Sequence, residues 1–347
     1  MRSSSKTRSA RPRLRLSYGL AALALGLSGA TVFKASAETT GTIDRRAPPA
    51  GLTLTLPTVQ EPQGPTLEGE VFRVGVLASV TPDRQRARLD PYRRHLESVL
   101  SRPVEFVPYR EARGLMLAAS RGQLSYAIAP GSLVAATASL CGCVEPLAAQ
   151  PTHLGLAGLF AALAVPASSS ITSPGTLETL TADRLVIVGE NSVVAHHIGL
   201  SELSRAGLGV RADANYQFAS SLTDAAEALT DGRADAALFW TPQAAGPQMS
   251  AGVPAHDLTA DQRNELRIVW RSPPAIGETH FAHTQLSADV QQALQSSLIL
   301  LANQNGAAFD AIDNGSGKAF VTTTLSDYRP YTDALRFWAV IPRSLED

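Results

Sequence analysis

Apolar positions along the chain change period several times, and each change predicts an element. Residues 71–77 (VFRVGVL) alternate and then run apolar, as a central strand does, and the polar loop ASVTPD follows. Leu89, Tyr92, Leu96, Val99 and Leu100 recur on one helical face, with Arg93, Arg94 and Glu97 on the other. Residues 104–107 predict a second strand, 111–120 a second helix, and 124–129 a third strand that stops at Pro130-Gly131-Ser132, where another helix begins. Strand and helix in this order make a βαβαβ unit, whose crossovers lay helices on the faces of a mostly parallel sheet.

Residues 154–165 are a long run of small apolar side chains that predicts a buried strand leaving this first unit. A polar segment at Ser168-Ser169-Ser170 separates it from a second alternation: a strand at 185–188, a helix to about 206, a strand at 216–219, a helix through Ala225, Ala226 and Leu229, and a strand at 236–240. A strand at 266–270 and a helix from Ser287 to about 302 complete the packing. Two α/β lobes are implied, the first from 71–165 plus about 273–347 and the second from about 166–272. The stretch 185–200 (LVIVGENSVVAHHIGL) organises the second lobe: an apolar strand, a Gly-Glu-Asn-Ser turn with N-cap chemistry, then helical spacing from Val193. In an α/β sheet such a turn lies at the carboxyl end of its strand, where ligands bind and the first helical N–H groups are free to hold an anion.

The remaining features narrow the class. Thirty basic against thirty-one acidic residues give a formal charge of -1, so no global field recruits nucleic acid or an anionic membrane. Arg2, Lys6, Arg8, Arg11, Arg13 and Arg15 precede a mostly apolar stretch at 20–33, and Ala35-Ser36-Ala37 fits a cleavage site. Residues 1–37 therefore read as a signal peptide that exports the chain without a permanent membrane anchor. Residues 38–69, with Pro48, Pro49, Pro57, Pro62 and Pro65, read as an extended leader, and folding is expected from Val71. Cys141 and Cys143 are the only cysteines; a bridge would close a tiny ring, metal would need ligands from elsewhere, and a small buried pair of open redox state is the expectation. His196 and His197 are adjacent and lack the i, i+4 spacing of a metal pair. Asn314-Gly315-Ser316-Gly317-Lys318 lacks the glycine spacing and final hydroxyl of a phosphate loop and reads as a surface turn. No G-x-S-x-G elbow, H-E-x-x-H pair or spaced carboxylate cluster argues for an enzyme, and no cofactor or metal is expected.

The segments VFRVGVLASVTPDRQRARLDPYRRHLESVLSRPVEF, GQLSYAIAP, LVIVGENSVVAHH, FASSLTDAAEALTDGRADAALFW, LRIVWRSPPAIGETHFA and GKAFVTTTLSDYRPYTDALR, in this order over residues 71–336, resemble the phosphate, phosphite and phosphonate-binding periplasmic proteins of ABC importers. The resemblance implies a type II periplasmic-binding clamshell, α/β, each lobe a mostly parallel sheet flanked by helices, with a small solute held between the lobes and an ABC permease as partner. It also implies a Ser-Thr-Ser-Gly oxyanion turn where this chain has Ser192, Val193, Val194 and Ala195. Tyrosines of the family align with Ala112 and Ala129, a histidine with Leu222, and an aspartate with Ser125. The ligand-binding candidates that remain are Ser79, Thr81, Ser125, Ser132, Asn191, Ser192, Ser221 and Trp240; the hydroxyls also suit ordinary N-caps, and Trp240 suits either a cleft wall or hinge packing. Asp235 reads as a capping or turn residue. A sensor or interaction module built on the same clamshell is the alternative function.

Mass spectrometry of the protein recovered from the periplasm is expected to show a mature chain starting near Glu38. An intact Met1 on a membrane-bound product would contradict the leader reading.

Overall fold

Strand register divides the chain between two sheets. The computed structural model describes residues 67–338 except 68, 79, 153–157, 174–175, 177–179, 243–257 and 314, so the signal peptide, nearly all of the Pro-rich leader and Ser79 lie outside the described residues. In chain order, β1 (Phe72–Leu77), α1 (Pro82–Leu100), β2 (Val104–Tyr109), α2 (Ala112–Ser120), β3 (Tyr126–Pro130), α3 (Gly131–Cys141) and β4 (Val144–Ala149) come first. The chain then crosses to β5 (Gly158–Pro166), β6 (Leu185–Val188), α4 (Gly199–Arg205), β7 (Gln217–Ala219), α5 (Leu222–Thr230), β8 (Ala236–Thr241), α6 (Ala260–Asn264), β9 (Leu266–Arg271) and β10 (Ala275–Ile276). It returns through β11 (Glu278–His283), α7 (Ala288–Gln304), α8 (Gly306–Ile312), β12 (Val321–Thr322) and α9 (Arg329–Trp338).

The first sheet runs β12-β4-β11-β3-β1-β2 and the second β10-β5-β8-β6-β7, with β9 also paired to β5. Both are mixed. β1, β2 and β3 are parallel, as are β6, β7 and β8, while β11 and β12 in the first sheet and β5 in the second run against their neighbours where the chain crosses between lobes. Each sheet is covered on both faces: one apolar cluster joins α1, α7 and α8 to the first sheet, another joins α2, α3 and α9, and two more flank the second. Glycine sets the closest approach at two helix starts. A Cβ on Gly131 would meet the Ile276 carbonyl oxygen at 2.4 Å, and one on Gly199 would meet Leu238 Cδ2 at 2.8 Å.

Seven elements escape the sequence pattern: the short α6, β10 and β12, and four longer ones. β4 (VEPLAA) carries Glu and Pro in a short, alanine-rich strand, and β11 (ETHFAH) buries Thr279 and His280 completely. α8 follows α7 after a single residue, and α9 places Pro330 in its first turn. Tertiary partners meet two of the buried polar groups of β11: Thr279 Oγ1 meets the Tyr328 hydroxyl at 2.7 Å, and His280 Nδ1 meets the Tyr126 hydroxyl, itself 2.8 Å from that of Tyr92, while His280 Nε2 has no partner among the described residues. Folding also begins before Val71, because Leu67 packs on the first core and its carbonyl accepts a 2.7 Å bond from Ser125 Oγ. Cys141 and Cys143 are bonded to each other and half-buried rather than buried. Gly142 takes a left-handed conformation (φ 60°) at the end of α3, and that reversal brings the two Cα atoms to 5.0 Å.

Burial pushes His280 down to about 3. The unfolded histidine takes a proton near pH 6.5 and the folded one does not, so this group's contribution is complete above pH 6.5 and is lost as pH falls towards 3. Urea unfolding is expected to give highest stability above pH 6.5 with a fall on the acid side. In His280→Gln that fall should be shallower by up to about 1.4 kcal/mol per pH unit; an unchanged slope would count against the assignment.

Candidate functional site

At the carboxyl end of β6 the chain leaves the sheet through Gly189 (φ 81°), a position that favours glycine, and turns at Glu190, Asn191 and Ser192. The helix that follows opens as a π-helical turn (Val193–Ile198) before becoming α4: both His196 N–H (3.0 Å) and His197 N–H (3.2 Å) donate to the Ser192 carbonyl, the second spanning five residues. Ser192 Oγ accepts from Ala195 N–H at 3.1 Å. That cap uses an oxygen lone pair and leaves the hydroxyl proton to donate to a solute. Asn191 is exposed beside it. Val193 and Val194 are half-buried and pack on the apolar cluster that unites Leu133 and Val134 of α3, Ile198 and Tyr331 of α9. Where hydroxyls would serve an oxyanion, this chain has packing atoms.

The other predicted residues fall in different places. Ser221 half-buries at the carboxyl end of β7 and caps α5, accepting from Asp224 N–H at 3.1 Å, and Ser220 bonds the Asp224 carboxylate. Trp240 is half-buried on β8, opposite Ala161 of β5. Thr81 is exposed at the N-cap position of α1 without a side-chain capping bond, and Ser132 is half-buried in the first turn of α3. These lie at the carboxyl ends of their sheets' parallel strands. Ser125 does not. It precedes β3 at the amino end, is buried, gives its proton to the Leu67 carbonyl, and lines a cavity of about 300 Å³ with Leu67, Arg73 and Gln123. Its hydroxyl ties the start of the folded chain to the sheet. Leu222, where the family's histidine was aligned, is 1% exposed in the second lobe's core, so a histidine there would be buried away from any solute. Asp235 forms an ion pair with Arg184 at 2.6 Å, consistent with its structural reading.

Sequence reasoning missed the part played by α9. This helix packs on both α3 and α4. Tyr331 donates to the Ile276 carbonyl at 2.6 Å, Arg329 reaches Glu202 of α4 at 3.2 Å, and the Trp338 indole N–H donates to the His197 carbonyl at 3.1 Å. The Trp338 ring stands edge-on to His196 and His197, with centroids 4.8 and 5.0 Å away, and His196 meets Phe218 at 5.0 Å. Burial holds both histidines below the ordinary range; their Nδ1 atoms meet the carbonyls of Glu190 (2.5 Å) and Ser192 (3.2 Å). They brace the turn. The signal for this was the amphipathic TDALRFW run, visible only once its two partners are known. A second cavity, about 290 Å³, lies where the connections between the sheets meet the start of α9, lined by Gln150, Pro273, Ile276, Asp327 and Arg329 among others.

Two sheets, a chain that crosses between them and returns, and polar turns at the carboxyl ends of the parallel strands define a two-lobed solute-binding protein. Residues 74–328 match the family described as ABC transporter, phosphonate, periplasmic substrate-binding protein, and the chain belongs to that non-catalytic family. Among solved structures it is similar to a Xanthomonas citri protein bound to ATP, at 18% identity and a TM-score of 0.52 over 78% of this chain and 98% of that one. The same protein bound to chloride gives 18% identity and 0.51 over 78% and 99%. PhnD1 from Prochlorococcus marinus in complex with methylphosphonate gives 16% and 0.44 over 77% and 97%. Comparison with curated proteins finds no match. Among the described residues, no helix is long and apolar enough to cross a membrane.

Ser125→Ala is expected to lower stability by about 1 kcal/mol, the net worth of one hydrogen bond, and to leave solute affinity unchanged. Thermal unfolding with and without solute checks both. A selective loss of binding would return Ser125 to the site.

Proposed function

We propose that this chain is the periplasmic solute-binding component of an ABC importer, capturing a small solute between its lobes and presenting it to a permease. The observation that carries the reading is the family match across residues 74–328, which takes in strands of both sheets. The donors proposed for the solute are Thr81 and Ser132 from the first lobe and Asn191, Ser192 and Ser221 from the second, with Ser79 following β1 and Trp240 as an apolar wall. Simple phosphonates are proposed to bind weakly. An oxyanion leaving water regains its solvation through charge-assisted hydrogen bonds of about 1.5–3 kcal/mol each, and Val193 and Val194 supply none from their side chains.

A second reading, an interaction module on the same scaffold, draws on one observation: the two valines pack into the cluster shared with α3 and α9, as a turn held for its shape would do. Titration separates the two. Methylphosphonate, phosphite and phosphate are expected to stabilise the wild-type protein little, whereas Val193→Thr with Val194→Ser recovers a response. A ligand at a hundred times its dissociation constant adds about 2.7 kcal/mol, well within calorimetric reach. Micromolar phosphonate binding by the wild type would overturn the weakened turn, and silence across a broad solute panel would favour the interaction module.

A further inference from the structure

Arg271 closes β9, and its placement depends on an irregularity in the strand. Ile268 pairs with Ala164 of β5 but Trp270 with Leu163, so Val269 is an extra residue. The bulge shifts the alternation by one and puts Arg271 opposite Ala162, on the face that carries Phe239, Val188 and Ala219. Without it Arg271 would share the opposite face with Leu163. β9 and β8 both run against β5, so the end of β9 lies at the same edge of the sheet as the ends of β8 and β6, where the Gly189–Ser192 turn stands.

The guanidinium is unfinished there. Nε and Nη2 of Arg271 are both buried, and among the described residues neither has a hydrogen-bond partner. Burial lowers its proton affinity, and among the described residues no carboxylate pairs with it. Arg267, four residues earlier on the same strand, is a partial contrast: its Nε is likewise buried without a partner among the described residues, but its Nη2 donates to the carbonyls of Ser169 and Ile171 at 2.6 and 2.7 Å. A desolvated cation without a counter-charge is costly, and a planar guanidinium is the side chain best suited to a two-oxygen acceptor. A neighbourhood of Ala162 and Phe239 strengthens any charge pairing made beside them.

We propose that Arg271 is the anion anchor of the solute site, holding a carboxylate head group of the solute through its Nε and Nη2 hydrogens. The inference rests on the solute-binding reading above. It replaces two neutral hydroxyl donors at the β6 turn with one cation at the same edge of the sheet, and it assigns the solute a negative head.

The test uses the mature protein with Arg271→Met and Arg271→Gln, in a zwitterionic buffer without added oxyanion and then with inorganic phosphate, methylphosphonate or acetate, glycerol serving as a neutral control. Expected are a wild type stabilised by acetate and, as proposed above, little by phosphate or methylphosphonate, an Arg271→Met protein no less stable than wild type in plain buffer, and acetate affinities in both variants weaker by about 10- to 100-fold, the loss of one charge-assisted interaction. Variants that bind as the wild type does would overturn the anchor while leaving the solute-binding reading standing. So would a lower melting temperature of Arg271→Met in plain buffer, since that guanidinium would then be satisfied within the protein. A wild type stabilised by glycerol alone would likewise remove the anchor only; a wild type that responds to none of these and to no member of a broader solute panel would remove both.

Discussion

Glu202 is the contact on which the arrangement of the two lobes turns. Its side chain is 1% exposed, and a carboxyl group taken that far out of water needs cations against it. Arg205 comes from the same helix at 3.0 Å, but Arg329 comes from α9 at 3.2 Å, 127 residues along the chain. Arg329 also holds Asp333 at 2.7 Å within α9, which fixes its guanidinium towards α4. Two further bonds hold the helix: Tyr331 against the Ile276 carbonyl and Trp338 against the His197 carbonyl. One short helix thus carries the geometry of the first lobe to the turn at the carboxyl end of β6.

That linkage gives the two valines a physical meaning. A turn that only bound a solute would keep its hydroxyls; a turn that also serves as a packing surface for another helix gains from apolar side chains. Val193 and Val194 contribute to the cluster shared with α3 and α9, and Ser192 keeps one donor beside them. Packing at the lobe contact and the solute donors proposed for the turn draw on neighbouring residues of one short segment. The π-helical opening is part of the compromise, since the Ser192 carbonyl receives two N–H groups and the histidines are fixed by carbonyls of the turn itself.

How the chain traverses its two sheets has a similar logic. β5 and β9 are stitched at Ser272, whose N–H donates to the Ala161 carbonyl at 2.8 Å and whose hydroxyl accepts from Ala161 N–H at 2.9 Å. The reciprocal pair ends the ladder just before Pro273 and Pro274, which have no N–H to extend it, and the chain turns back towards the first sheet. The bulge at Val269 lies immediately upstream, so the residues that orient Arg271 are the ones that prepare the crossing.

Much of the fold follows from local pattern. LVIV at β6, AALFWT at β8 and the apolar stripe of α1 are legible because burial on a sheet or a helix face imposes period 2 or 3.6 on the residues themselves. The turn at Gly189 to Ser192 is legible for the same reason: a left-handed glycine and an N-cap serine are local requirements. β11 was hidden, since a strand that buries Thr279 and His280 looks polar until Tyr328 and Tyr126 are brought to it from elsewhere in the chain. Ser125, a ligand candidate by sequence, ties Leu67 to the amino end of β3, because sequence alone does not say which distant carbonyl a hydroxyl will meet. Which face Arg271 takes was decided by the register of β9 on β5, a property of two strands about a hundred residues apart that neither segment encodes alone.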